Sequence, residues 1–374
     1  MKIINFNMNT ALSIYYLCLQ ITRNGQASYS HVFEIIKGLK DRGASLVLFQ
    51  PGCFLSSLGL RLFSFFSTQY RLICASRPSV IYVRWHFATF LVSFWAKFRD
   101  IPILHEINGP YEDLFLSYPW TSRCRSFFVF LMRQQLKWSD AVIAVTPHLV
   151  EWVRREAGHD RVFLVSNGAN TDIFNPLVAR SDNIDLPEKY VIFFGALSLW
   201  QGVETMLEAA QSPSWPKELS LVIVGDGVGA AKVANAAASA STIRFVSPVD
   251  QTVLAGLICN ALCSLSPQVG QRCATGVFPL KLFESLACGV PVVVSDWPGM
   301  ADLVRDEKCG IVVPPGDAMA LASAVHYIAD NPEIAVEMGK RGADVVHREH
   351  SWDAKAAQTL KIIRSVLASG KFKD

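Results

Sequence analysis

The chain has 374 residues, 51% of them hydrophobic and only 18% charged, with 35 Lys and Arg against 32 Asp and Glu. That length asks for two domains, and no uninterrupted apolar run reaches the ~18–20 residues that a membrane-spanning helix needs. Nine scattered cysteines, without a C-x-x-C and without histidines near Cys259 and Cys263, suggest no metal set and read as buried, reduced thiols of a cytosolic protein.

The small net charge hides an asymmetry. Residues 1–180 hold 19 Lys and Arg against 11 Asp and Glu, which leaves 16 against 21 for the remainder. A basic front half is expected to meet something anionic. No nucleic-acid motif accompanies the charge, so no nucleic acid is expected as partner. An anionic membrane surface or a lipid phosphate fits better.

Lys2–Phe6 reads as the first strand, and MKIINF resembles a strand more than the basic head of a signal peptide. A small-residue loop, Asn24-Gly25-Gln26-Ala27-Ser28, precedes a helix over Tyr29–Arg42 with Val32, Ile35, Ile36 and Leu39 inward. Gly43 caps it and Ser45–Phe49 is the next strand. A strand, a glycine-bearing loop and a helix form a phosphate-tolerant unit. His31 stands near the start of this helix, as a functional group or as a locally satisfied helix histidine.

Residues 54–71, 87–99 and 122–138 are rich in aromatics interspersed with Arg and Lys. Such helices suit a bilayer interface; equally, they suit the flanks of a parallel sheet, with the aromatics in its core. Val80–Val83 and Ile103–Ile107 read as strands, the second running into His105-Glu106-Ile107-Asn108-Gly109-Pro110. Polar residues at the carboxyl end of a parallel strand are where open α/β sheets keep their chemistry. Glu106 and Asn108 are the candidates there, the alternative being a structural Glu106 bonded to backbone amides. His105 alternates to the other side and reads as structural.

Ala141–Val145 and Val162–Val165 are further strands. Ser166-Asn167-Gly168 opens a turn-rich segment in which Phe174 can anchor a linker, and the polar stretch from Val178 to Glu188 is the boundary. Beyond it, Tyr190–Phe194 enters Gly195-Ala196-Leu197-Ser198-Leu199-Trp200-Gln201-Gly202. Leu219–Val224 enters Gly225-Asp226-Gly227, and Ile243–Val246 enters Ser247-Pro248-Val249. Ala261–Leu265 precedes Gly276-Val277-Phe278-Pro279-Leu280-Lys281-Leu282-Phe283-Glu284. This last stretch reads as loop and helix, with Pro279 just before the helix, Gly289 after it, and Val290–Val294 as a buried strand. Lys281 and Glu284 lie one turn apart at the positive end of the helix dipole. That end with a lysine suits a phosphate, and a glutamate there can accept from sugar hydroxyls; the plain alternative is a solvated pair on a surface helix.

In order and spacing, the segments N-G, G-D-G, P-L-K-L-F-E-x-x-A-x-G-x-P-V-V and P-G-D resemble the retaining GT-B glycosyltransferases of family 4, also called group 1 glycosyltransferases. The resemblance covers nearly the whole chain. It implies two Rossmann-like, doubly wound parallel-sheet α/β domains facing a cleft: an acceptor domain over 1–177, a donor domain over 188–350, and a last helix over 351–374 crossing back. It implies transfer of a hexose from a UDP-sugar or GDP-sugar to a hydroxyl of a glycan or lipid-linked acceptor, without a metal, in cell-surface polysaccharide or glycolipid synthesis. A cytoplasmic place, peripheral on the inner face of the membrane, follows. Carried over, Glu284 binds the donor ribose and Lys281 a phosphate. Gly276, Val277, Phe278 and Leu280 hold the sugar and diphosphate through backbone N–H groups. Val249 lies by the base, and Gly25, Gly195 and Gln201 line the donor side. Glu106, Asn108 and His31 serve catalysis and the acceptor hydroxyl. The chain departs from the family at three places: Ala196 and Gln201 replace an Arg and a Lys that clamp the diphosphate, and Gly276 replaces an acidic residue that holds the transferred sugar. Two alternatives keep the fold, a degenerate partner subunit and a nucleotide-sugar epimerase.

Overall fold

The structure, a computed structural model, describes residues 12–22, 27–52, 58–179, 184–270, 273–274 and 276–369. Lys2–Phe6 and Gly25 lie outside them. Among the described residues the chain forms two compact units, one of residues 12–22, 28–165 and 356 onward, the other of residue 27 and residues 166–355.

In the first unit, six parallel strands run in the order β2-β1-β3-β4-β5-β6, where β1 is Ser13–Leu17, β2 Ser45–Phe49, β3 Val80–Arg84, β4 Ile103–Ile107, β5 Ala141–Ala144 and β6 Val162–Leu164. The run SIYYL is thus the first described strand. Strands β1 and β3 pair directly while β2 lies on the far side of β1, so the order reverses between β1 and β3. In a doubly wound sheet, ligands sit outside the carboxyl ends of the strands at such a reversal.

The second unit repeats the plan in the order β12-β11-β10-β7-β8-β9. Here β7 is Tyr190–Ala196, β8 Ser220–Asp226, β9 Ile243–Val246, β10 Ser264–Ser266, β11 Val292–Ser295 and β12 Gly310–Val313. The reversal falls between β7 and β10. Strand β7 shows why both faces are covered. Ile192 and Phe194 enter one apolar cluster with Leu282, Phe283 and Leu286, and Val191 and Phe193 enter another on the opposite face. A continuous apolar run is what a strand buried on both faces requires. Phe174 packs into the first of these clusters, 1% exposed. The final helix, Trp352–Ala368, leaves the second unit and from Ala356 belongs to the first, where Ser369 Oγ accepts from Arg161 at 3.1 Å.

Candidate active site

In the second unit, the helix Leu280–Ala287 starts on Pro279, whose extended backbone (φ −67°, ψ 145°) turns the chain into the first turn. Proline offers no side-chain acceptor there, so the leading N–H groups have no side-chain cap. Lys281, one residue in, points back into the unit and is 7% exposed. Its ammonium donates to Gln201 Oε1 at 2.9 Å and lies 3.6 Å from the centroid of the Phe193 ring. Burial pushes the Lys281 ammonium down to about 7, against the opposing pull of Glu284. Glu284, on the next turn, is half-buried, and among the described residues no donor pairs with its carboxylate. Burial pushes that carboxyl up to about 7, with Lys281 opposing. The surface-pair alternative therefore does not describe Lys281, which is a buried cation held by an amide and an aromatic face.

Gln201 follows the carboxyl end of β7 in a short 3-10 turn, Leu199–Gln201. It looked like a lost charge in the sequence; in the structure it is the acceptor that fixes Lys281, 80 residues away. A lysine at 201 would set a second ammonium against the first. Gly195 also borders this spot, since a Cβ there would come 3.8 Å from Lys281 Cε and Nζ.

The loop before the helix behaves differently from expectation. The Gly276 N–H donates to Cys273 O at 3.0 Å and the Val277 N–H to Pro298 O at 3.0 Å. Those two donors are occupied, so they do not face a diphosphate as the resemblance implied. The Phe278 carbonyl accepts from Asn167 Nδ2 at 2.7 Å, and its ring packs on Phe283 at 5.6 Å. These three residues position the helix. Gly276 has φ +87°, a region that residues with a side chain adopt at a cost. The absence of an acidic side chain at 276 thus goes with a backbone that favours glycine. Leu280 is 8% exposed and contributes a first-turn N–H. Val249 follows β9, two strands from β7, and packs against the cluster beneath the helix.

In the first unit, a polar cluster lies at the carboxyl ends of the strands. Glu106 is 1% exposed and accepts from four side chains or lies within reach of them: Tyr82 Oη at 2.6 Å, Arg84 Nη1 at 2.8 Å, Asn108 Nδ2 at 2.8 Å, and His31 Nε2 at 2.9 Å. Burial alone would raise the Glu106 carboxyl, but His31, Arg84 and Asn108 outweigh it and hold the group well below the usual carboxylate range. Three of these partners meet Oε1 and one, Tyr82, meets Oε2. Among the described residues, no backbone amide bonds to Glu106. It is the charged hub that sets His31 and the half-exposed Asn108. Arg84 and Tyr82 were missed in the sequence, where Val80–Val83 reads only as a strand. His105 is fully buried on Ser93 Oγ at 3.0 Å, and burial pushes it down to about 3. The two clusters belong to different units.

Residues 177–345 match the family described as "Glycosyl transferases group 1" and residues 30–173 match "Glycosyltransferase Family 4". The chain belongs to the group 1, family 4 glycosyltransferases. This glycosyltransferase is 27% identical over 288 residues to the phosphatidyl-myo-inositol mannosyltransferase of Mycobacterium leprae, covering 72% of this chain and 75% of that one. Its fold is similar to sucrose-phosphate synthase from Thermosynechococcus elongatus, with a TM-score of 0.79 at 21% identity over 96% of this chain and 100% of that one. It is also similar to Anabaena HepE solved with UDP and glucose, with a TM-score of 0.72 at 14% identity over 94% and 99%.

Proposed function

We propose that this glycosyltransferase moves a hexose, with retained anomeric configuration, from a nucleoside-diphosphate sugar to a hydroxyl of a glycan or lipid-linked acceptor. The observation that carries the reading is Lys281, a buried cation on the first turn of a helix whose N-cap has no side-chain acceptor, beside the reversal in strand order. A diphosphate supplies what both features lack: acceptor oxygens for the N–H groups of Leu280 and Lys281, and a counter-charge for the ammonium. Glu284, one turn on and without a side-chain donor of its own, then accepts from vicinal hydroxyls of the ribose. HepE, a structural neighbour, was solved with UDP and glucose, and the Mycobacterium relative is named for mannosyl transfer to a lipid. Both names support the reading without fixing the donor.

The chemistry asked of these residues is electrostatic. The bond from the anomeric carbon to the diphosphate breaks with its electron pair on the leaving oxygen. The acceptor oxygen forms the new bond to the anomeric carbon, and its proton passes to the leaving diphosphate oxygen. Developing charge on the diphosphate meets Lys281 and the helix end, which need no reorganisation as it forms. The reading requires no metal. The cluster around Glu106 is assigned to the acceptor side, with Asn108 and His31 as contacting groups and Glu106 and Arg84 as positioning ones.

Two assays test this. Calorimetric titration with UDP and GDP reports binding, and product analysis with nucleotide sugars reports transfer or donor hydrolysis. Binding with turnover supports the enzyme. Binding without turnover on any donor favours the degenerate partner. No binding to either nucleotide contradicts the donor site.

A further inference from the structure

The helices Leu58–Ile73, Phe90–Phe98 and Arg125–Trp138 of the first unit each bury one side, through Phe65 and Leu72, Val92 and Ala96, and Phe128 and Met132. Each also carries apolar side chains outward. Phe63, Phe66 and Tyr70, then Phe94 and Phe98, then Phe127 are between 52% and 76% exposed. Positions 63, 66 and 70 share one helix side, as do 94 and 98. A helix apolar on both sides belongs in a core or at an interface, and these are not in the core.

The helices are neighbours. Gln69 Oε1 accepts from the Val92 N–H at 3.3 Å, and the Phe90 and Phe94 rings lie 5.1 and 5.5 Å from Trp138. None of the three contains an Asp or Glu, although the chain has 32. Their charges are all basic, with Lys97 and Lys137 exposed; of the arginines, Arg125 and Arg133 pair with Glu112 and Glu156 from adjoining segments. No described helix is long and apolar enough to cross a membrane.

We propose that this three-helix face seats on an anionic lipid bilayer, with the aromatic rings at the headgroup boundary and the basic side chains among the phosphates. Helices that carry exposed aromatic and basic side chains and no acid of their own are what that boundary selects. A second copy of the same face is disfavoured, because it would oppose like charges. The proposal does not rest on the nucleotide assignment.

The test is flotation of the full chain with vesicles of phosphatidylcholine, with and without phosphatidylglycerol. The wild type is expected to float only with the anionic vesicles and to detach as salt is raised. The F63S/F66S/F98S variant is expected to bind them at least tenfold more weakly, with its melting temperature and its response to UDP and GDP unchanged. Should that variant unfold, K97E/K137E replaces it with the same expectation. The proposal is overturned if the wild type stays unbound, or if a folded variant floats equally well. It is also overturned if the wild type is a dimer that the variant makes monomeric, or if a single-stranded oligonucleotide binds the face more tightly than the vesicles do.

Discussion

Replacing Lys281 by Met removes one cation and keeps most of the side chain's apolar volume. If that ammonium meets the donor diphosphate, the lost charge-assisted contact is worth ~2–3 kcal/mol, or roughly 30- to 150-fold in affinity. Stability should move the other way. The folded-state value of Lys281 lies near 7, below the ordinary 10.5. Its burial penalty is therefore fully present below about pH 7 and fades as pH rises toward the ordinary lysine range. At pH 7 and below, Lys281→Met should then be more stable than the wild type, by on the order of a few kcal/mol at most. Calorimetry with UDP and GDP, beside chemical denaturation without nucleotide, reads both quantities. A variant that binds within threefold of the wild type refutes the assignment of Lys281. One that loses affinity only because it is destabilised refutes the claim that the buried charge is held at a cost to the fold.

Gln201→Lys should weaken nucleotide binding by crowding Lys281, whereas the double change Q201K/K281M should recover part of what K281M loses; calorimetry on the set checks this, and additive losses would contradict it. Nucleotide binding should take up protons above pH 7, as the anion recharges Lys281, measured by titration in buffers of different ionisation enthalpy. Glu106→Gln leaves Arg84 buried without its counter-charge and should cost ~3–5 kcal/mol in denaturation of the first unit, with UDP or GDP affinity unchanged. The depressed Glu106 value means that its stabilisation is present above the ordinary 4.5 and is lost as pH falls below it, which acid denaturation of the wild type against the Gln variant would reveal. Gly202→Ala should destabilise by ~2 kcal/mol or more, since φ is +71° and the new Cβ would clash with the Pro267 carbonyl oxygen; a denaturation midpoint equal to wild type would contradict the local geometry.

Much of the fold was readable because strands buried on both faces leave continuous apolar runs, as at Tyr190–Ala196 and Val292–Ser295. The first described strand, SIYYL, was not, since a short apolar run without alternation has no period to identify it. Within the site, Lys281 and Glu284 were legible from their spacing on one helix. The role of Gln201 was not, because an amide's meaning depends on a partner 80 residues away. Glu106 stood out as a carboxylate at a strand end, yet its four partners come from β3, the loop after β4 and the helix that bears His31, which no local pattern links. For the aromatic helices, the core reading holds for Phe65 and Phe128, while Phe63, Phe98 and Phe127 are outside. Composition reports that such helices are apolar all round, but not which side a sheet will cover.

Hydrogen–deuterium exchange of the full chain, with and without UDP or GDP, tests the donor site most directly. The account predicts slower exchange in peptides spanning Phe278–Glu284, centred on the amides of Leu280 and Lys281. Protection confined to other segments, or none at saturating nucleotide, would contradict it.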